Sequence, residues 1–197
     1  MDLTVDIGME QIQRNTALLL IQNLNDAIAD QNTLWMERDE DFYVASGRTN
    51  PEISVEEIST DHIYSGTIPS LIDKPMEFYP NCCVIAYIAQ PQRGDDDWME
   101  RYQVALALEI MVKSESSEEE VNARIHRTLA AANFVIASDK NRRLPDADGE
   151  SLVPQISGGP AVTIGEVFVK HKGTDPNDRW FYQGGSLTYL VDKFSSY

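Results

Sequence analysis

Cysteine is almost absent: the chain has two, Cys82 and Cys83, and they are adjacent. Neighbouring side chains on a strand point to opposite faces, and a vicinal bridge is strained. A disulfide framework is therefore excluded, and free thiols in a reducing compartment are expected. Long apolar runs are missing as well. The longest, residues 82–89, falls far short of the roughly 18 residues that a membrane-spanning helix requires. The first residues carry Asp2 and Asp6 but no basic leader, unlike a secretory signal, so the expectation is a chain made and kept in the cytosol. Basic residues are scarce, 16 against 32 acidic ones, for a formal net charge of -16. Such a chain is repelled by phosphate backbones and anionic membranes unless cations cluster locally. Lys140, Arg142 and Arg143 do cluster, but just past a helix C-terminus, where cations complement the helix dipole.

The signatures of chemistry are also lacking. His62, His126 and His171 have no paired spacing, so no zinc site is readable. Asp146, Asp148 and Gly149 match part of a calcium loop, but Leu144 stands where an acid is needed and Gln155 where a glutamate is needed. The acidic run Asp95, Asp96 and Asp97 reads as a solvated charge tip. No serine is framed by glycines, and neither cysteine has a readable partner base. Gly158 and Gly159 precede Pro160 and a strand, whereas a phosphate loop opens a helix. Arg93, Gly94 and Asp95 spell an adhesion tripeptide for which chance is sufficient explanation. Trp35, Trp98 and Trp180 are not interleaved with cations as a base-stacking surface would be. No catalytic, cofactor-binding or metal-ligating residue is assigned on these grounds, and no cofactor is expected.

What is present is organised around residues 102–137. Tyr102, Val104, Leu106, Leu108, Ile110 and Val112 alternate with mostly smaller or polar residues, the two-residue period of a strand with one core face. Ser117 and Glu120 then form a capping box, and Glu118 and Glu119 suit the positive end of a helix dipole. At 100° per residue, Val121, Ile125, Thr128, Leu129, Ala132, Val135 and Ile136 fall in one arc able to cover the strand. Ala123, Ala130 and Phe134, beside Arg127, gather on the opposite side. A second apolar strip on a helix that already covers its own sheet points to a neighbouring protomer.

An N-terminal helix is expected over about residues 7–30, with Leu18 and Leu19 outside its main arc and offered to the same kind of neighbour. Residues 31–81 read as a loop-rich insertion of short strands, including 42–45 and 53–58, interrupted by Pro51, Pro69, Pro75 and Pro80. Residues 82–89 are apolar on both faces, as inside a sheet, and can pair antiparallel with 102–112. The connection 90–101 is too long for a tight turn and holds Arg93, Asp95, Asp96, Asp97 and Trp98, the candidate partner-contact loop. After a polar linker at 139–159, strands are expected at 161–170 and 180–193, with Gly184 and Gly185 marking a bulge or a close backbone approach. The fold class is α+β: one domain over residues 1–197, a mainly antiparallel sheet flanked by the N-terminal helix and a second helix at about 118–137, with long loops.

This order of elements, from the first helix through Glu77, Phe78, Tyr79 and Pro80 into an apolar strand, a projecting loop, a second long strand, a capped helix and closing strands, resembles the tail terminator (tail completion) and related neck proteins of tailed bacteriophages. The resemblance implies a structural virion protein and not an enzyme. It implies a homohexameric ring that caps the tail tube and docks on the head connector, with DNA passing through the lumen without specific binding. Ala123, Ala130 and Phe134 would then meet a neighbour, and the 90–101 loop would reach the tube or an adjacent ring. An acidic lumen suits such a conduit, since like charge repels phosphate. The alternatives are another neck or head-closure ring protein, a small acidic hydrolase using Asp61, His62 and Glu57, or an adaptor that binds through the 90–101 loop.

Overall fold

The computed structural model describes residues 3–66, 82–93, 101–138, 155–156, 160–172, 174–175 and 177–194. It is an α+β fold, with two helices on one face of a largely antiparallel sheet. The elements run α1 (Leu3–Ser46), a 3-10 turn (Thr60–His62), β1 (Ile63–Ser65), β2 (Cys82–Arg93), β3 (Arg101–Ser114), α2 (Glu118–Ala137), β4 (Gln155–Ile156), β5 (Ala161–Ile164), β6 (Phe168–His171) and β7 (Arg179–Phe194). The central order is β1-β2-β3-β7, and β4, β5 and β6 line up along the far edge of β7. Every pairing is antiparallel except β1 with β2. Among the described residues no helix is long and apolar enough to cross a membrane.

The α1 helix is far longer than its sequence pattern suggests. Residues 31–46 continue it, so the short strand expected at 42–45 is helical and the loop-rich region begins only after Ser46. The reason is local. No glycine or proline occurs between Met9 and Ser46, and the helix ends where Gly47 adopts a φ of 66°. The Gly47 N–H then bonds the Val44 carbonyl and the Arg48 N–H bonds the Tyr43 carbonyl, the double bond of a Schellman stop.

Residues 53–58, also expected as a strand, are extended but pair with a helix instead of a sheet. The Asn32 side chain receives the Val55 N–H at 3.0 Å and donates to the Val55 carbonyl at 2.9 Å. Asn25 does the same with Ile58, at 2.9 and 3.0 Å. Seven helical residues rise ~10.5 Å, and three extended residues span ~10 Å. Two asparagines one heptad apart therefore meet two backbone positions three residues apart, and Val55 and Ile58 seal against the core between them. Replacing Asn32 with leucine leaves both Val55 backbone groups without their partner and should lower stability by about 2 kcal/mol in a denaturant titration. A change below ~0.5 kcal/mol would show that water substitutes freely for the amide.

The core lies between the helices and the sheet. Ile63, Val84, Ile110 and Val112 from the sheet meet Leu20, Leu24 and Ile28 of α1 and Val121, Ile125, Leu129 and Ile136 of α2. The β3 and β7 strands run in register from Arg101 opposite Phe194 to Ser114 opposite Phe181, so Ile110 pairs with Gly185 and Val112 with Gln183. This register puts Phe181, Gln183, Gly185, Leu187 and Tyr189 on the helix side. Of the two glycines only Gly185 marks a close approach: a Cβ on it would lie 3.0 Å from Leu129 Cδ1, 3.3 Å from Ile125 Cγ1 and 3.2 Å from the Thr163 carbonyl oxygen. Residues 161–170, expected as one strand, are β5 and β6 separated by 165–167. There the Gly165 N–H bonds the Gly184 carbonyl at 2.9 Å, and Gln183 Nε2 reaches the Gly165 carbonyl at 2.9 Å.

Candidate assembly surfaces

The α2 helix begins as its sequence dictates. Ser117 is extended and its hydroxyl accepts from the Glu120 N–H at 3.0 Å. The second half of the box takes another route, because the Glu120 carboxylate accepts from the Ser114 hydroxyl at 2.7 Å and pairs with Arg124 at 2.6 Å. Burial raises the Glu120 pKa, but the hydroxyls of Ser116 and Ser114 and the Arg124 charge outweigh it and leave the group below the ordinary glutamate value. The seven residues expected to form the apolar arc, Val121 to Ile136, are all buried.

The opposite strip is only partly as expected. Phe134 is 55% exposed, and Ala123 and Ala130 are half-buried beside it. Arg127, placed on that strip by the helical wheel, turns the other way and is 4% exposed. Its guanidinium donates to the Ile53 carbonyl and pairs with Asp39 of α1 at 2.5 Å, with the Trp35 ring 5.6 Å away. The residue thus locks α2 to α1 and to the 53–58 segment and is not open to a neighbour. The wheel missed this because α1 was expected to end before Trp35 and Asp39. Leu18 and Leu19 also divide: Leu18 is 52% exposed, while Leu19 is 7% exposed and packs in the core. Further along the helix pair, the Tyr43 hydroxyl donates to Glu119 at 2.7 Å, and this bond holds the phenol pKa above its ordinary value.

Sequence reading missed a second set of exposed apolar residues. The large apolar side chains open to solvent among the described residues fall in two places. Leu18, Leu34, Met36, Phe42 and Val44 of α1 join Phe134 of α2 on the helix layer. Val162, Phe168, Val169 and Leu190 lie at the far edge of the sheet, on β5, β6 and β7, with Val162 and Val169 on the helix side and Phe168 and Leu190 on the other. The hint was there in that 161–170 has apolar residues at both parities with no element to cover either face.

The sheet face away from the helices carries an aromatic between two cations. The Trp180 ring has Lys113 Nζ at 4.2 Å and Lys172 Nζ at 3.8 Å from its centroid, and Lys172 also bonds Glu115 at 2.5 Å and Asp178 at 3.3 Å. Lys113 is buried, which lowers its pKa, while the Glu115 bond raises that of Lys172.

Of the residues considered for hydrolysis, Glu57 and His62 line a cavity of about 170 Å3 together with Ser59 and Arg124, and Asp61 is not in its wall. Among the described residues no group of three or more histidine, cysteine, aspartate or glutamate side chains is placed to share a metal ion. Of the partner-contact loop, Arg93 ends β2, while Asp95, Asp96, Asp97 and Trp98 lie outside the described residues, as do the partial calcium loop at 146–149 and the basic cluster at 140–143. The β2–β3 ladder runs out to Arg93 opposite Tyr102, so the loop is carried at the end of a paired ribbon. No protein-family model matches the chain, and no curated protein matches its sequence.

Proposed function

We propose that this chain is a structural protein of a tailed-phage virion, a tail terminator or neighbouring neck protein, that works as a closed ring of identical copies. The observation that carries the reading is the division of the exposed apolar residues between two unlike surfaces, one on the helix layer and one at the far edge of the sheet. A patch that pairs with itself gives a two-fold dimer, whereas a patch that pairs with a different patch on the next copy gives head-to-tail association, which closes into a ring where the rotation between copies allows it. The β2–β3 pair supports the same reading: residues 90–93 and 101, expected in the loop, are paired strand, and the remaining connection would be presented to the tail tube or the adjoining ring. The net charge of -16 suits a lumen that lets DNA slide past. In this role the chain uses shape and charge and no catalytic group. The expected partners are further copies of itself, most simply six, the tail tube protein and the head connector.

Sedimentation of the purified chain, alone and mixed with tail tubes, tests the proposal. The wild-type chain should form rings in one of the two conditions. Phe134→Asp, at a side chain more than half exposed, should keep the circular-dichroism spectrum and unfolding midpoint while the ring is lost. A wild-type chain that stays monomeric in both conditions defeats the proposal.

A further inference from the structure

We propose that the pocket between the start of α2 and the β5–β6 connection receives a guanidinium group, carried by an arginine side chain of another protein, whether or not the chain forms a ring.

The pocket has a volume of about 710 Å3 and is walled by Glu118, Glu119 and Asn122 of α2, Glu166 and Val167 of the connection, and Gln183 of β7. Gly165 is tied to β7 through the Gly184 carbonyl, at 2.9 Å, and Asn122 is tied to β7 through Gln183, at 3.3 Å, so three stretches distant in sequence meet here. Glu118, Glu119, Asn122 and Glu166 are exposed, and the pocket opens to solvent between them. No lysine or arginine stands in its wall. Glu118 and Glu166 make no hydrogen bond or ion pair with a described residue. Glu119 accepts one bond, from the Tyr43 hydroxyl at 2.7 Å, and keeps its charge. A helix start contributes only about +0.5 of an elementary charge, which three carboxylates outweigh. The pocket is negative, and its ligand is a cation.

Acidic hollows are expected anywhere on a chain of net charge -16. The floor sets this one apart. Gln183 is 4% exposed, and its Nε2 donates to the Gly165 carbonyl at 2.9 Å and to Asn122 Oδ1 at 3.3 Å. A carbonyl can only accept, so the amide nitrogen faces Gly165 and Oε1 is turned the other way. That oxygen is buried and has no hydrogen-bond partner among the described residues. A buried acceptor without a donor costs stability, and a donor brought in by a ligand removes that cost.

The spacing of the acceptors selects among cations. Among the described residues no three acidic side chains are placed to share a metal ion, so the carboxylates ring the pocket without converging on one point. A divalent ion needs such convergence, and an ammonium is likewise a compact point charge. A guanidinium spreads five N–H donors over a plane and can meet an amide oxygen and separate carboxylates at once. The methylenes behind it have an apolar wall in Val167, which packs against the core.

The experiment titrates N-acetylarginine methylamide, N-acetyllysine methylamide and free arginine into the isotope-labelled full chain and follows amide resonances by NMR. Saturable shifts are expected at the Gln183 side-chain amide and at residues 118–122 and 165–167, with the capped arginine binding about fivefold tighter than the capped lysine. Glu166→Gln, at an exposed position, should weaken the capped arginine about threefold, while Glu37→Gln, the same charge change on α1, leaves it unaltered. Gln183→Met keeps the size but removes the acceptor, and should bring the two capped compounds to equal affinity, with circular dichroism confirming the fold. Equal affinities in the wild type, shifts scattered over other acidic faces, or a Glu37→Gln effect as large as that of Glu166→Gln would each overturn the site. Free arginine binding about tenfold tighter than the capped residue would overturn a protein side chain as the source.

Discussion

Arg127→Leu is expected to destabilise the fold by about 3 kcal/mol, the lower end of the cost of breaking a buried ion pair by removing one partner. Three contacts are lost together. The Asp39 carboxylate loses its cation, the Ile53 carbonyl loses its donor, and the Trp35 ring loses the guanidinium beside it. The Asp39 side chain is about one-fifth exposed, so water can partly replace the cation, which is why the loss sits at the low end of the range. Arg127→Lys should fall between the two, because an ammonium keeps the charge but cannot present a planar fork to a carbonyl and a carboxylate at once. Denaturant midpoints for the three proteins, compared at equal slope, give the measurement. A loss below ~1 kcal/mol for the leucine variant would mean that α1 and α2 are held by apolar packing and the guanidinium only fills space.

Gly185→Val should cost about as much, roughly 3 kcal/mol, through overpacking. The Cβ alone would stand at 3.0 to 3.3 Å from Leu129, Ile125 and the Thr163 carbonyl, and the two further carbons of valine point into the same space. The neighbouring glycine is the control. A Cβ on Gly184 meets nothing closer than the Ile110 carbonyl oxygen at 3.9 Å, so Gly184→Ala should change stability by less than ~1 kcal/mol. Leu129→Ala in the Gly185→Val background should recover part of the loss, and the coupling in the double-mutant cycle reports the contact itself. Equal effects at 184 and 185 would contradict the register that turns one residue to the helices and the other away.

How legible the fold was depends on whether a local rule governs each element. The β3–α2 unit was readable because two periodicities and a cap fix it within thirty-six residues, and the structure has the strand, the helix and the Ser117 half of the cap. The α1 helix was readable only to about Asp30. Its last four turns have no clean apolar stripe, because their inner face is polar: Asn32, Asp39 and Tyr43 reach across to 53–58 and α2 by hydrogen bonds. Periodicity of hydrophobicity cannot report a helix that docks through amides and ions. The same blind spot misplaced Arg127, since its partner was 88 residues away in a segment read as loop. Phe134 and Leu18 were placed outward correctly, because an apolar residue off the main arc of a helix has few other places to go. The exposed valines of β5 and β6 were invisible as a surface until the sheet order showed that nothing described lies beyond them.

The arrangement around β7 has a consequence for how the molecule comes into being. This strand pairs with β3 on one side and with β4, β5 and β6 on the other, so it joins the two halves of the sheet. Among the described elements it also comes after all the strands and helices it joins, and α2 lacks half of its floor until β7 has been synthesised. The nascent chain must therefore wait, its helices made but unseated, and acquire its tertiary structure in a late step dominated by contacts distant in sequence.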